Sequence, residues 1–96
     1  MSVPVIVIAQ LDAKPEFAAQ LRAALTPLIA ASQQEAGCLR YQLHQSLDNP
    51  QSWMLHEEWV SEDALIAHQQ EPHFIAFVAD TQGWFANSTV RRYHLA

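Results

Sequence analysis

Residues 57–74 read Glu-Glu-Trp-Val-Ser-Glu-Asp-Ala-Leu-Ile-Ala-His-Gln-Gln-Glu-Pro-His-Phe, and most of the chemistry available to the chain is concentrated there. Glu57 and Trp59 are separated by one residue, so on a strand they share a face. His68 and His73 follow on a helical stretch, with Phe74 and Phe77 beside them. Folded back over the strand, this stretch would enclose a mainly apolar pocket lined by Trp59, Phe74, Phe77 and Trp84, with an imidazole at its wall. Desolvation there disfavours the charged imidazole and a nearby Glu57 carboxylate favours it, a balance that can leave a neutral base near physiological pH.

Each of these residues also has a plainer role open to it. Trp59, Phe74 and Phe77 are the kind of residue that fills the core of any small domain. His68 could be exposed or cap a helix, and His73, directly after Pro72, could cap a helix start or touch another subunit. Glu57 could pair with Arg40, Arg91 or Arg92 on neighbouring strands. Tyr41 and His44 lie on opposite faces of their strand and cannot enter one pocket without a bulge.

Several other chemistries lack their residues. The chain has only 2 glycines, Gly37 and Gly83, so no glycine-rich turn can bring backbone against a nucleotide phosphate. None of the 5 histidines pair at the helical spacing that puts two imidazoles on one metal, and no metal is expected. The serines have no glycine elbow around them. A net charge of -5 makes nucleic acid and anionic membrane poor partners. The lone Cys38 agrees with a reducing compartment, and the opening run at residues 3–11 is too short to span a bilayer and lacks the features of a secretion signal. A cytoplasmic protein is the expectation.

The elements that must position these residues follow from hydrophobic period. Residues 3–11 are apolar on both alternating faces, as in a strand covered on both sides. Pro15 suits a helix start, and Phe17, Leu21, Leu25 and Leu28 recur at helical spacing towards a stop near Gly37, with a kink expected at Pro27. In a second strand at 38–45, Leu39, Tyr41 and Leu43 face away from Cys38, Arg40, Gln42 and His44. Asp48-Asn49-Pro50 turns the chain into a third strand at 53–60, in which Trp53, Leu55, Glu57 and Trp59 share a face. Ser61 is a helix cap, Pro72 divides the helical region that follows, and a last strand runs over about 88–95. The order is that of an α+β, ferredoxin-like fold: a four-stranded antiparallel sheet with helices on one face. At 96 residues the chain is one domain, residues 1–96. Half of its residues are hydrophobic, and the open sheet face is expected to meet its copy in a homodimer.

Glu35-Ala36-Gly37-Cys38-Leu39-Arg40-Tyr41, then Glu57-Glu58-Trp59, Ala67-His68 and Pro72-His73-Phe74, resemble in order and spacing the antibiotic biosynthesis monooxygenase family over nearly the whole chain. The resemblance implies a dimeric α/β barrel and oxygenation of a quinol or polycyclic phenol by dioxygen, with no flavin, haem or metal cofactor. It implies His68 as base or hydrogen-bond partner, Glu57 orienting polar groups, and Trp59 and Phe74 against the ring; the pocket read from the residues themselves adds His73, Phe77, Trp84 and Tyr41 as expected substrate contacts. The same fold group includes isomerases of phosphorylated carbonyl compounds, for which the few basic residues are a poor match, and haem-degrading enzymes, whose axial histidine and first-strand asparagine are here Val78 and Ala9. A ligand-binding stress protein without catalysis is the third reading.

Overall fold

The computed structural model describes residues 3–96. Four strands, β1 (Val5–Ala13), β2 (Cys38–Gln45), β3 (Ser52–Trp59) and β4 (Phe85–Tyr93), form one antiparallel sheet in the order β2-β3-β1-β4. Three helices connect them: α1 (Ala18–Gln33), led in by a short 3-10 turn at Pro15–Phe17, then α2 (Glu62–Gln69) and α3 (Pro72–Asp80). This is the ferredoxin-like arrangement expected from the pattern, with the strand termini moved by two or three residues in β1 and β4.

Alternation along the strands divides the sheet cleanly. Val7, Ala9, Leu11 and Ala13 of β1 and Trp53, Leu55, Glu57 and Trp59 of β3 are buried beneath the helices. From above, α1 contributes Leu21, Leu25, Leu28 and Ser32, a three-and-four spacing that places all of them on one helical face. Pro27 lies on the exposed side of α1, and the helix continues across it. The opposite sheet face carries Ile6, Ile8, Met54 and His56, half-buried, bordered by exposed Arg40, Gln42, His44, Thr89 and Arg91. Strand one is therefore apolar on both sides, as its sequence requires.

Three local features set the helices over the sheet. The Ser61 hydroxyl accepts from the Ala64 backbone N–H at 3.1 Å and starts α2. Pro72 holds Glu71 in extended backbone (φ -71, ψ 142), which ends α2 and begins α3 at a new angle. Gly37 lies so close beneath α2 that an added Cβ would come 2.5 Å from the Ala64 Cβ. The second strand departs from simple alternation: Cys38 pairs with Trp59 and Arg40 with the adjacent Glu58, so the strand bulges at Leu39. Cys38 consequently packs against the core and Leu39 is exposed, the reverse of what strict alternation gives them.

Candidate active site

The helices cover β2, β3 and β1 but not β4, and a cavity of about 550 Å³ opens between α3 and the β1–β4 side of the sheet. That volume is within the roughly 300–1,000 Å³ typical of small-molecule sites and would hold a two- or three-ring aromatic. Its floor is the small Ala9 flanked by Leu11 and Leu55, with Phe74, Phe77 and Phe85 as apolar walls. At the inner end stand three polar side chains, Tyr41, Glu57 and His68. A second groove, about 620 Å³, follows α1 and the outer edge of β2, but its titratable side chains other than Tyr41 are the exposed Arg22 and His44. The buried titratable side chains Glu57 and His68 line the first.

His68 is 1 % exposed, and its Nδ1 lies 2.6 Å from the Glu35 carboxylate oxygen Oε2. The same oxygen takes the His73 Nε2 at 2.8 Å. A carboxylate oxygen accepts, so the nitrogens facing it carry the hydrogens. In a neutral His68 this leaves Nε2 as the lone-pair nitrogen, and Nε2 is buried with no hydrogen-bond partner among the described residues. Burial pushes the His68 imidazole towards its neutral form; the hydrogen bond and charge of Glu35 oppose this without overcoming it. The ring is held on three sides by Trp59 at 4.5 Å, Phe74 at 5.0 Å and Tyr41 at 5.5 Å between centroids. A fixed, neutral imidazole with its second nitrogen oriented by a carboxylate is the arrangement of a general base.

Glu57 is 6 % exposed, and among the described residues its carboxyl has one hydrogen-bond partner, the Trp59 indole, whose Nε1–H donates to Oε1 at 3.0 Å. Burial pushes its carboxyl up to about 7, against the lowering effect of the indole. None of the three arginines considered for it engages it: Arg40 approaches Glu58 at 3.9 Å, and Arg92 donates to Glu62 at 3.2 Å. Burial, and then the Glu57 charge, likewise keeps the Tyr41 phenol in its protonated form well above the ordinary range.

The structure gathers His68, Glu57, Tyr41, Phe74 and Phe77 around the cavity. Trp59 is fully buried behind His68, where it holds the imidazole and Glu57 and does not reach the cavity surface. His73 supports Glu35 from outside the cavity. Trp84 is elsewhere: its ring stacks on Phe17 at 5.7 Å, so the expectation that it lines the pocket is corrected. The carboxylate partner of His68 is Glu35, not Glu57. Glu35 sits in the turn after α1, where no hydrophobic period marks it, although it begins the first of the motifs quoted above.

Glu35, His68 and His73 also offer three ligand atoms within 4.8 Å of one another. Tetrahedral zinc needs its ligand atoms roughly 3.3–3.5 Å apart, whereas Glu35 Oε2 stands 2.6 and 2.8 Å from the two nitrogens. These are hydrogen-bond distances, and the three would have to spread before an ion could enter.

The sequence model of the antibiotic biosynthesis monooxygenase family matches residues 4–80. A Mycobacterium tuberculosis protein named "Putative monooxygenase Rv0793" is 35 % identical over 79 residues, covering 82 % of this chain and 77 % of its own. The solved structure of Rv0793 aligns with TM-score 0.86 at 32 % identity, over 97 % of this chain and 93 % of that one. The crystal structure of PA3566 from Pseudomonas aeruginosa aligns with TM-score 0.93 at 33 % identity, over 100 % and 97 % of the two chains.

Proposed function

Because the chain belongs to the antibiotic biosynthesis monooxygenase family, we propose that it is a cofactor-independent monooxygenase that oxidises a quinol or polycyclic phenol with dioxygen, His68 acting as the base. The observation that carries this is the buried Glu35–His68 pair, with an unpartnered imidazole nitrogen, at the inner wall of an aromatic-lined cavity.

Dioxygen is a triplet, so a closed-shell substrate must first supply one electron. Removal of the phenolic proton by His68 Nε2 raises the ring's electron density and makes that transfer easier, and Glu35 stabilises the imidazolium so formed. The phenoxyl radical and superoxide then combine to form a carbon–oxygen bond. Loss of the ring hydrogen and cleavage of the oxygen–oxygen bond leave a new carbonyl and release water. One oxygen atom enters the product, the other leaves as water, and all four electrons come from the substrate. Apolar walls exclude water from the radical pair. An isomerase of a phosphorylated carbonyl compound is a poorer match, since no lysine or arginine lines the cavity among the described residues.

The same reading makes the protein a homodimer, with the sheet face of Ile6, Ile8 and Met54 against its copy, and places it in the cytoplasm with Cys38 as a free thiol. Sedimentation at micromolar concentration tests the first point; a monomer would contradict it. Catalysis is tested with an oxygen electrode on chelator-treated protein, using 1,4-dihydroxynaphthalene and a panel of anthrone-like phenols. Oxygen uptake above autoxidation, falling on His68→Ala, is expected. Rates equal to autoxidation throughout the panel would end the proposal.

A further inference from the structure

At the inner end of the cavity, Tyr41 and Glu57 are direct cross-strand partners in the β2–β3 register, both on the helix-covered face. Opposed residues of this kind hold their Cβ atoms about 4.5–5.5 Å apart, close enough for two side chains to reach one ligand atom. The indole N–H of Trp59 claims one carboxyl oxygen as its acceptor. In the protonated acid the hydroxyl therefore falls on the other oxygen, which has no protein partner among the described residues.

The groups around Glu57 favour that protonated form. From β2 come Tyr41 and Cys38, and from the turn before it Glu35, none of them a cation. From α2 comes His68, held towards neutrality. Among the described residues the one cation at this level of the sheet face is Arg92, separated from Glu57 by Val7 and turned to Glu62. The cavity lining contributed by α1 and by α3 is Leu28 and Phe74, Phe77 and Val78, all without charge.

We propose that Glu57 and Tyr41 form a pair of O–H donors that grips one acceptor oxygen of the ligand, so that the site selects aromatic molecules bearing a carbonyl or oxyanion beside the group that His68 addresses. Glu57 is then a donor that positions the ligand, and it takes no proton from it. The inference rests on the cavity being the substrate site but needs no oxidation. The inner end becomes two-sided, with donors on the sheet and an acceptor on α2, and that fixes which edge of a flat molecule enters first.

The test uses 9-fluorenone against fluorene, which has the same carbon skeleton without the acceptor oxygen, each titrated by quenching of tryptophan fluorescence. At about pH 6, where Glu57 is mostly protonated, fluorenone should bind roughly tenfold more tightly, as one well-made buried hydrogen bond allows. Its carbonyl stretch should move to lower wavenumber on binding. Raising the pH to about 8.5 should erase most of the preference in the wild type. Glu57→Gln, whose amide still donates, should keep the preference and lose its pH dependence, and Tyr41→Phe should weaken it at both pH values. Equal affinities at about pH 6, an unshifted carbonyl band, or a preference that grows on ionisation would overturn the proposal. Fluorenone has no hydroxyl to deprotonate and consumes no oxygen. A donor pair without oxygen uptake would leave this inference standing and remove the monooxygenase, and the converse result would remove the pair alone.

Discussion

Replacing Glu57 by Gln tests the buried acid through stability alone. The Glu57 carboxyl is shifted upward from 4.5 to about 7, so between those values the folded protein binds a proton that the unfolded chain has released. Stability attributable to this residue is complete below about pH 4.5, is lost as the pH rises through about 7, and stays lost above it. At 1.36 kcal/mol per unit the loss is about 3 kcal/mol, a large share of the roughly 5–14 kcal/mol of a domain this size. Glutamine copies the protonated acid: its carbonyl can take the Trp59 N–H, and it never ionises. Urea unfolding should therefore give variant and wild type similar midpoints at about pH 4.5, and a variant more stable by about 3 kcal/mol at about pH 8.5. With a slope of roughly 1–1.5 kcal/mol/M, that is a midpoint about 2–3 M higher. Titrating groups that do not feel the Glu57 charge are common to both proteins and cancel in the difference, and Tyr41 and Cys38, which do feel it, are themselves pushed upward. A gap that does not change with pH would show that Glu57 ionises normally and would refute the reasoning.

His68 has the opposite sign. Its folded-state pKa is depressed, so its contribution is present above about pH 6.5 and declines as the pH falls, and His68→Gln should flatten the acid limb of the same urea series. Glu35→Ala leaves a buried imidazole N–H without its acceptor while half-buried His73 can turn to water; a loss of about 2 kcal/mol is expected, and nitrogen NMR should show the wild-type Nδ1–H tautomer of His68 disappear. Gly37→Ala sets a methyl 2.5 Å from the Ala64 Cβ, which cannot rotate away, so α2 must shift at a cost of about 1–3 kcal/mol in urea unfolding. Ala9→Leu grows into the cavity floor: fluorenone binding should fall at least tenfold while stability changes by less than about 1.5 kcal/mol, and a larger loss of stability would mean the space is already filled.

The fold was legible because its signals are local. Alternation placed Trp53, Leu55, Glu57 and Trp59 on one face, Ser61 marked the start of α2, and Pro72 marked the break that sends α3 back across the sheet. The site was legible only as a set of faces. That His68 and Glu57 end in one cavity follows from strand face and helix crossing, but which carboxylate meets the imidazole depends on how a turn packs, and periodicity carries no information about turns. Glu35 was hidden for that reason. The bulge at Leu39 has the same cause, since one residue without a partner reverses the faces of those before it and leaves the composition unchanged. Trp84 failed as a pocket residue because its aromatic surface had a nearer partner in Phe17.

The single oxygen of Glu35 that holds both histidines reaches 33 residues along the chain to one and 38 to the other. No isolated hairpin or helix contains this junction, so it closes only when α2 and α3 have both settled against the turn after α1. Under the proposed function, partly folded forms should then take up no oxygen above autoxidation. In the mature protein, amide-exchange protection of the α3 segment and competence of the imidazole should rise and fall together, because a fluctuation that lifts α3 away also removes one of the two donors that hold the carboxylate in place.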